Sequence, residues 1–474
     1  MTARPTLLLV IAALVSACDP GPPTAVSASP VTSAAPSATA VPPTGAATPS
    51  PASSAPAGPA EWSTYHGDAA RTGTSSEVAS FTSVDVAWQT DVLTGDIYAA
   101  PIVVNGSAIV ATERNVVYAF DARTGQPRWR AALGTPVDAT TLPCGNIRPV
   151  TGITGTPVAD ARAGLVYVVA FEQTYHHELY ALEVATGAIR FHRTVDPPGA
   201  DPKVHQQRAA LALANGRVYV AYGGLAGDCG AYRGSVVGVS AASGDGELLS
   251  YRVPANREAG IWAPSGIAVD ANGRLFVVTG NSDSNGRYDY NDAVLRLSPD
   301  LALEDYWAPA DWLSLSRTDT DIGSVGPTLL PDGRVIEAGK NGVLYLLNAS
   351  SLGGIGGELA RLKVCGSIFG GFAYASGVAY TPCSDGLAAV QISGTALRTL
   401  WRGPRGTNGP PIVAGGAAWV TAYDAGVVYA LDLASGATRF QRTVGPMQHF
   451  TTLTAFGDEI LVAAGGRLIA LRMR

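Results

Sequence analysis

The fold of this chain follows from one stretch, Val117-Tyr118-Ala119-Phe120-Asp121-Ala122-Arg123-Thr124-Gly125, which recurs along the sequence. Close copies occupy residues 179–187 and 428–436. An aromatic residue follows each copy at the same distance, and these residues are Trp129, Phe191 and Phe440. Each copy is typical of an alternating strand, a Thr-Gly or Ser-Gly turn that reverses the chain, and a second strand with an aromatic anchor.

A second set of turns, flanked by β-branched or aromatic runs, indicates how many repeats there are. The eight turns are Asn105-Gly106, Ala163-Gly164, Asn215-Gly216, Asn272-Gly273, Asp332-Gly333, Ser376-Gly377, Gly415-Gly416 and Gly457-Asp458. They recur every 39 to 60 residues, which is the size of a four-stranded propeller blade. We therefore predict an all-β, eight-bladed β-propeller over residues 61–474.

The two ends of the propeller predict how the ring closes. The eighth repeat, from residue 451 to the C-terminus, lacks its outer aromatic strand. Residues 86–90, Val-Ala-Trp-Gln-Thr, supply such a strand ahead of the first repeat. We expect this strand to pair near Leu471 and so remove the exposed sheet edge.

These motifs resemble the repeat of pyrroloquinoline-quinone-type β-propellers. Residues 62–68 (WSTYHGD) and 71–73 (RTG) resemble the opening segment of that family, and the chain is similar to its secreted bacterial lipoprotein members. The resemblance covers about residues 61–474 and implies the same propeller fold. It does not choose a function, because the family includes quinone-dependent dehydrogenases and an outer-membrane assembly factor.

The N-terminus predicts a cell-envelope location. An apolar run over residues 7–15 precedes Ser16-Ala17-Cys18, and this resembles a bacterial lipoprotein signal in which Cys18 is lipidated. The alternative is an ordinary signal peptide cleaved elsewhere. Residues 19–60 contain 11 Pro and 12 Ala among 42 residues, with Asp19 as the only charge. This composition predicts a disordered tether between a membrane-anchored lipid and the propeller.

The charge composition excludes one class of binding partner. The formal net charge is −6, and only three of the 32 basic residues are lysines, so no basic patch indicates nucleic-acid binding. We expect a monomer that contacts the membrane through its lipid, with an envelope protein or a glycan as partner.

Four cysteines remain after Cys18. They are Cys144, Cys229, Cys365 and Cys383, and outside the cytoplasm an even number favours two disulfides. Three pairings are possible. Nearness in the repeat map favours Cys365–Cys383 and Cys144–Cys229.

Ligands of propellers usually lie at one mouth of the central channel, so the segments that open each blade hold the candidate site residues. The polar and aromatic candidates are His205, Arg208, Trp262, Asp319, Asp321, Asn408 and His449. They predict either an anion- or sugar-binding mouth or a network that satisfies strand ends and bridging waters.

Residues 281–292 offer a second candidate site. Oxygen-bearing residues with the spacing of a calcium loop are Asn281, Asp283, Asn285, Asp289 and Asp292, with Gly286 at the turn. Asn at the first position and Asp at the last predict weak binding that stabilises the fold. The alternative is a polar hairpin turn, for which these residue types are usual.

The family resemblance also implies a quinone site. Asn281 matches the calcium-binding Asn of the dehydrogenases, Asp311 resembles their base, and Trp262 their stacking floor. No adjacent cysteine pair is present, and Arg208 is the one obvious contact for the quinone carboxylates, which argues against this cofactor.

We therefore favour a binding or scaffold module without bond-making chemistry. A pyrroloquinoline-quinone-dependent dehydrogenase with calcium and a polysaccharide-processing enzyme are the alternatives.

Overall fold

The computed structural model describes residues 61–474. The predicted signal peptide, the lipidation site Cys18 and the predicted tether lie outside the described residues. Within residues 61–474, no helix is long and apolar enough to cross a membrane.

Eight antiparallel sheets of four strands form the eight blades, and this confirms the predicted all-β propeller. The strands of blades 1 to 4 are Ile102–Val104, Ser107–Thr112, Val116–Asp121 and Pro127–Ala132; Val158–Asp160, Leu165–Phe171, His177–Glu183 and Ile189–Thr194; Ala212–Ala214, Arg217–Gly224, Ser235–Ser240 and Leu249–Arg252; Ala268–Val269, Leu275–Val278, Val294–Leu297 and Leu303–Ala308. Those of blades 5 to 8 are Thr328–Leu329, Arg334–Ala338, Val343–Asn348 and Ala360–Lys363; Ala373–Ala375, Val378–Thr381, Ala388–Ser393 and Ala396–Arg402; Ile412–Ala414, Ala417–Ala422, Val427–Asp432 and Thr438–Thr443; Thr454–Phe456, Glu459–Ala464, Arg467–Met473 and Val84–Gln89.

Few elements lie outside the blades. His205–Gln206 and Gly354–Ile355 add short strands to blades 3 and 4, and Val137–Asp138 pairs with Val150–Thr151. The described helices are one α-helix, Trp312–Arg317, and three short 3-10 turns, Ala139–Thr141, Pro202–Val204 and Tyr423–Ala425. In seven of the eight neighbouring pairs of blades the first strands contact one another, so these strands surround the central channel.

The ring closes as predicted. Strand Val84–Gln89 pairs antiparallel with Arg467–Met473, with Val86 opposite Leu471 and Trp88 opposite Ala470. This pairing supplies the outer strand of blade 8 from the opposite end of the described chain. The third strand of blade 8 is therefore paired on both sides and is not an exposed sheet edge.

The repeated glycine and aromatic residue join one blade to the next. Gly125 has φ +70°, and a Cβ added there would lie 2.5 Å from the Trp88 ring of blade 8. Gly187 faces Trp129 of blade 1 at the same 2.5 Å, and Gly436 faces Trp401 of blade 6 in the same way. Two features therefore require glycine at these positions: the left-handed backbone, and the indole ring that leaves no room for a Cβ atom.

A segment that precedes the first blade runs through the middle of the ring. Residues 62–75 exchange backbone hydrogen bonds with residues at or beside the first strands of six blades, namely Val103, Ala159, Val269, Leu329, Tyr374 and Val413. The buried Arg71 side chain adds bonds to the carbonyl oxygens of Leu211 (2.9 Å) and Ile267 (3.0 Å). The segment that resembles the family's opening motif therefore ties the inner strands together.

Candidate functional site

One cavity of about 560 Å³ lies at the channel mouth. Its walls come from the loops that precede first strands and from the loops that follow second strands. The side chains that line it include Tyr98, Asn146, Gln206, Arg208, Asp228, Tyr232, Trp262, Asn281, Asp319, Lys340, Gln448, His449 and Phe450. A hole of about 10 Å³ beneath Arg208 is lined in part by Tyr65, so the cavity ends on the segment that crosses the ring.

Arg208 lies between two aromatic rings of this cavity. Its guanidinium carbon is 5.5 Å from the Tyr98 ring centre and 5.0 Å from that of Phe450. One terminal nitrogen donates to the carbonyl oxygen of His449 at 3.3 Å, while the buried Nε has no hydrogen-bond partner. Among the ion pairs of residues 61–474, none involves Arg208. Burial lowers the pKa of its guanidinium, against the opposing charges of Tyr98 and Glu113.

On the other side of the cavity a lysine is held by two carboxylates. Lys340 Nζ lies 2.5 Å from an Asp319 oxygen, 2.7 Å from an oxygen of the fully buried Asp321, and 5.8 Å from the Trp262 ring centre. Burial opposes the lysine charge, but Asp321 and Asp319 outweigh it and raise the pKa of Lys340. The charge of Lys340 is therefore compensated by two direct ion pairs, whereas Arg208 forms none within residues 61–474.

The structure brings together four of the seven predicted mouth residues. Arg208, Trp262, Asp319 and His449 line the cavity, and they share it with Asn281. Lys340 was missed, although it follows the second strand of blade 5 as Asn281 follows that of blade 4. This shared position is the signal that identifies it.

The other three predicted residues do not face the cavity, which corrects their assignment. His205 is buried, and its Nδ1 contacts the carbonyl oxygen of Asp201 at 2.7 Å. Asn408 donates from Nδ2 to Asp424 at 3.1 Å. Asp321 lies behind Lys340. Each of these three side chains therefore bonds a neighbouring residue and does not line the cavity.

The predicted calcium loop is not assembled as one site. Asn281 faces the central cavity, Asp283 accepts from Asn256 at 3.2 Å, Asp289 accepts from Ser282 at 2.8 Å, and the buried Asp292 accepts the Ile322 N–H at 3.2 Å. In the described part of the chain, these three carboxylates form no common group of ligand atoms. Asp283, Asn285 and Asp289 line one small pocket, whereas Asn281 and Asp292 lie elsewhere, so the five residues do not converge. Calcium binding by this loop stays a prediction.

Aromatic packing explains why the loop diverges. Tyr288 lies 5.6 Å from the Tyr306 ring and 5.0 Å from the Trp312 ring, and Tyr290 lies 5.0 Å from Tyr306. These rings hold the end of the loop against the small α-helix, and Asp292 then adopts a left-handed backbone with φ 47°. The oxygen spacing alone does not reveal this packing.

The cavity does not fit a calcium-bound quinone. Trp262 and Asn281 share it, as the resemblance implies, but Asp311 precedes the α-helix and does not line it. The two cavity carboxylates are already bonded, Asp319 to Lys340 and Asp228 to the Tyr232 hydroxyl at 2.6 Å. Calcium prefers six to eight oxygen ligands, and no free carboxylate of the described cavity lies ready to join Asn281.

Both favoured disulfides are present. Cys144 joins Cys229, and Cys365 joins Cys383. The first links two loops of the cavity wall, because Asn146 lies on one and Asp228 on the other. The Gly145 N–H also donates to the Ala226 carbonyl oxygen at 3.0 Å across the same junction. The disulfide therefore holds one side of the cavity together.

Glu113 is a buried acid beside the cavity. It is 1% exposed, and its Oε2 accepts the Gly152 N–H at 2.6 Å while Oε1 has no partner. Burial raises the pKa of Glu113 from 4.5 to about 7, although the Gly152 hydrogen bond opposes this. Between about pH 4.5 and pH 7, Glu113 therefore keeps its proton in the folded protein and loses it in the unfolded chain.

This acid predicts a pH-dependent stability. The folded pKa is raised, so the stability that Glu113 contributes is full below pH 4.5 and is lost as pH rises towards 7. We expect the free energy of unfolding of Glu113→Gln, measured relative to that of the wild type, to rise by about 3 kcal/mol from pH 4 to pH 8. Urea unfolding at both pH values measures this difference. The exposed control Glu247→Gln should show no such trend, and an equally flat result for Glu113→Gln would contradict the prediction.

Comparison with known proteins agrees with this architecture. A family model described as outer membrane protein assembly factor BamB matches residues 74–351. No curated protein sequence matches the chain.

Solved structures show the same fold. The chain is similar to quinohemoprotein alcohol dehydrogenase from Comamonas testosteroni, with 15% identity, a TM-score of 0.66, and coverage of 87% of this chain and 80% of that one. A europium-containing methanol dehydrogenase has 14% identity, a TM-score of 0.65, and coverage of 88% and 98%. BamB from Moraxella catarrhalis has 15% identity, a TM-score of 0.57, and coverage of 82% and 100%. At these identities the likeness concerns the fold alone.

Proposed function

Because this chain belongs to the family described as outer membrane protein assembly factor BamB, we propose that it is an extracytoplasmic, lipid-anchored binding protein of the cell envelope whose central cavity holds an organic anion on Arg208. The two disulfides support a location outside the cytoplasm. The lipid anchor rests on the sequence around Cys18.

The observation that carries the proposal is the state of Arg208. A partly buried guanidinium with an unpartnered Nε and no ion pair faces a cavity of about 560 Å³, a volume usual for small-molecule sites. Buried cations normally have an anionic partner. A carboxylate or phosphate of a ligand supplies this partner, and charge-assisted hydrogen bonds to arginine are strong.

The rest of the cavity indicates the body of the ligand. Trp262 and Phe450 lie with ring centres 6.5 Å apart and present apolar faces. Asn281 and the Lys340–Asp319 pair add hydrogen-bonding groups across the cavity. These features favour a ligand with one acidic group and an apolar body.

The two enzyme alternatives find less support in the site. The quinone dehydrogenase needs a calcium donor set, and the cavity carboxylates are already bonded. Acid–base cleavage of a polysaccharide needs two carboxylates free to exchange protons, whereas Asp319 and Asp228 are bonded to Lys340 and Tyr232. We therefore propose binding without bond-making chemistry.

Titration with a matched acid and amide tests this function. Calorimetry should detect binding of naphthalene-2-carboxylate to the full chain and at least tenfold weaker binding of naphthalene-2-carboxamide. Arg208→Gln should lower the affinity for the acid by 10- to 100-fold, because a hydrogen bond to a charged group contributes about 1.5–3 kcal/mol. Arg217→Gln, in the same blade outside the cavity, is the control.

Two results would overturn the proposal. One is equal affinity for the acid and the amide. The other is binding of pyrroloquinoline quinone that depends on added calcium and yields an oxidase signal, which would establish the dehydrogenase alternative.

A further inference from the structure

A groove of about 710 Å³ lies beside the cavity and shares Gln448 with it. Five of its thirteen lining residues are apolar: Val92, Leu93, Pro149, Val150 and Pro446. Val92 is 62% exposed, the highest value among the exposed large apolar residues of the described chain. Val92 therefore offers apolar surface to a molecule lying in the groove.

The walls of the groove are held in place without a ligand. The Leu93 N–H donates to the Gly466 carbonyl oxygen at 2.8 Å, and the Gly465 N–H donates to that of Pro446 at 2.7 Å. The Thr94 N–H donates to the Tyr118 hydroxyl at 3.1 Å. The exposed apolar surface is therefore built into the fold.

Gln448 lines both the cavity and the groove. The next residue, His449, accepts the hydrogen bond from Arg208, so the guanidinium is bonded to the neighbour of the residue that the two spaces share. The polar groups of the groove include Asp96, Glu113 and Arg114, which have mixed signs and favour no second charge on the ligand.

We propose that the natural ligand is a single-chain amphiphilic anion, with its acidic group on Arg208 and its hydrocarbon chain in this groove. The inference rests on the proposed function, since it uses the same anion site. It adds the chemical class of the ligand, a monomeric acid with an aliphatic chain.

A chain-length series tests this inference. Butanoate, hexanoate, octanoate and decanoate, each kept below its micelle concentration, are titrated into the full chain by calorimetry. Affinity should rise with length, by up to roughly fourfold for each methylene that enters the groove. Val92→Asn combined with Val150→Asn should remove this rise and leave the affinity for naphthalene-2-carboxylate unchanged.

Ile189→Asn is the matched control, because Ile189 is 48% exposed on the outer strand of blade 2. It should leave the chain-length dependence as in wild type. Circular dichroism and the retained binding of naphthalene-2-carboxylate show that the groove variant is folded.

The outcomes separate the two proposals. If naphthalene-2-carboxylate binds through Arg208 while octanoate binds no better than butanoate, the amphiphile inference is overturned and the proposed function stands. If neither naphthalene-2-carboxylate nor the alkanoate series binds, the proposed function and the amphiphile inference both fail. Binding only to vesicles of anionic lipid, with no binding of monomeric acids, also overturns the inference.

Discussion

Replacing Arg71 with methionine should lower the free energy of unfolding by about 3–5 kcal/mol. Arg71 is 1% exposed, and its guanidinium donates to the carbonyl oxygens of Tyr65, Leu211 and Ile267 at 2.9–3.0 Å. Methionine fills much of the volume but leaves these buried acceptors without a donor, at about 1–3 kcal/mol each. Relief of the desolvated charge offsets part of this loss.

Urea unfolding followed by tryptophan fluorescence measures the effect as a lower midpoint. Arg162→Met is the control, because Arg162 is exposed and its side chain makes no recorded hydrogen bond within residues 61–474; its effect should stay within about 0.5 kcal/mol. A loss below about 1 kcal/mol for Arg71→Met would show that the segment over residues 62–75 does not hold the inner strands together.

Removal of the Cys144–Cys229 disulfide should cost about 4.5 kcal/mol in the chain-entropy model, because the closed loop spans 85 residues. The double variant Cys144→Ser and Cys229→Ser should also weaken ligand binding. Its two loops carry Asn146 and Asp228 on the cavity wall, and without the disulfide one backbone hydrogen bond, Gly145 to Ala226, remains between them.

The second disulfide is the internal control. Cys365 and Cys383 are 18 residues apart, so the same model gives about 3 kcal/mol, and neither residue lines the cavity. Its double serine variant should lose stability and keep the affinity for naphthalene-2-carboxylate. If both double serine variants lost affinity equally, the cause would be general destabilisation and not a change in the cavity wall.

The candidate site was predictable only in part. The loops that surround the channel were identified because they open the blades, and Arg208, Trp262, Asp319 and His449 belong to the cavity. His205 and Asn408 occupy equivalent loops but turn to Asp201 and Asp424. A side chain in a non-repeating loop points where its neighbours on other blades allow, and no local pattern encodes those neighbours.

The eight blades and the strand that closes the ring could be predicted from the sequence alone, because strand alternation, turn residues and repeat spacing are local features. The same repeat spacing favoured one cysteine pairing among three, and the fold confirmed it. The contacts that cross between blades became known only from the folded chain. The fold placed Trp88 on Gly125 and Trp129 on Gly187, and it drew Asp292 away from Asp283 and Asp289. The fold also left Arg208 without an ion pair in the central cavity, because such gaps arise where several blades meet and depend on how distant residues pack.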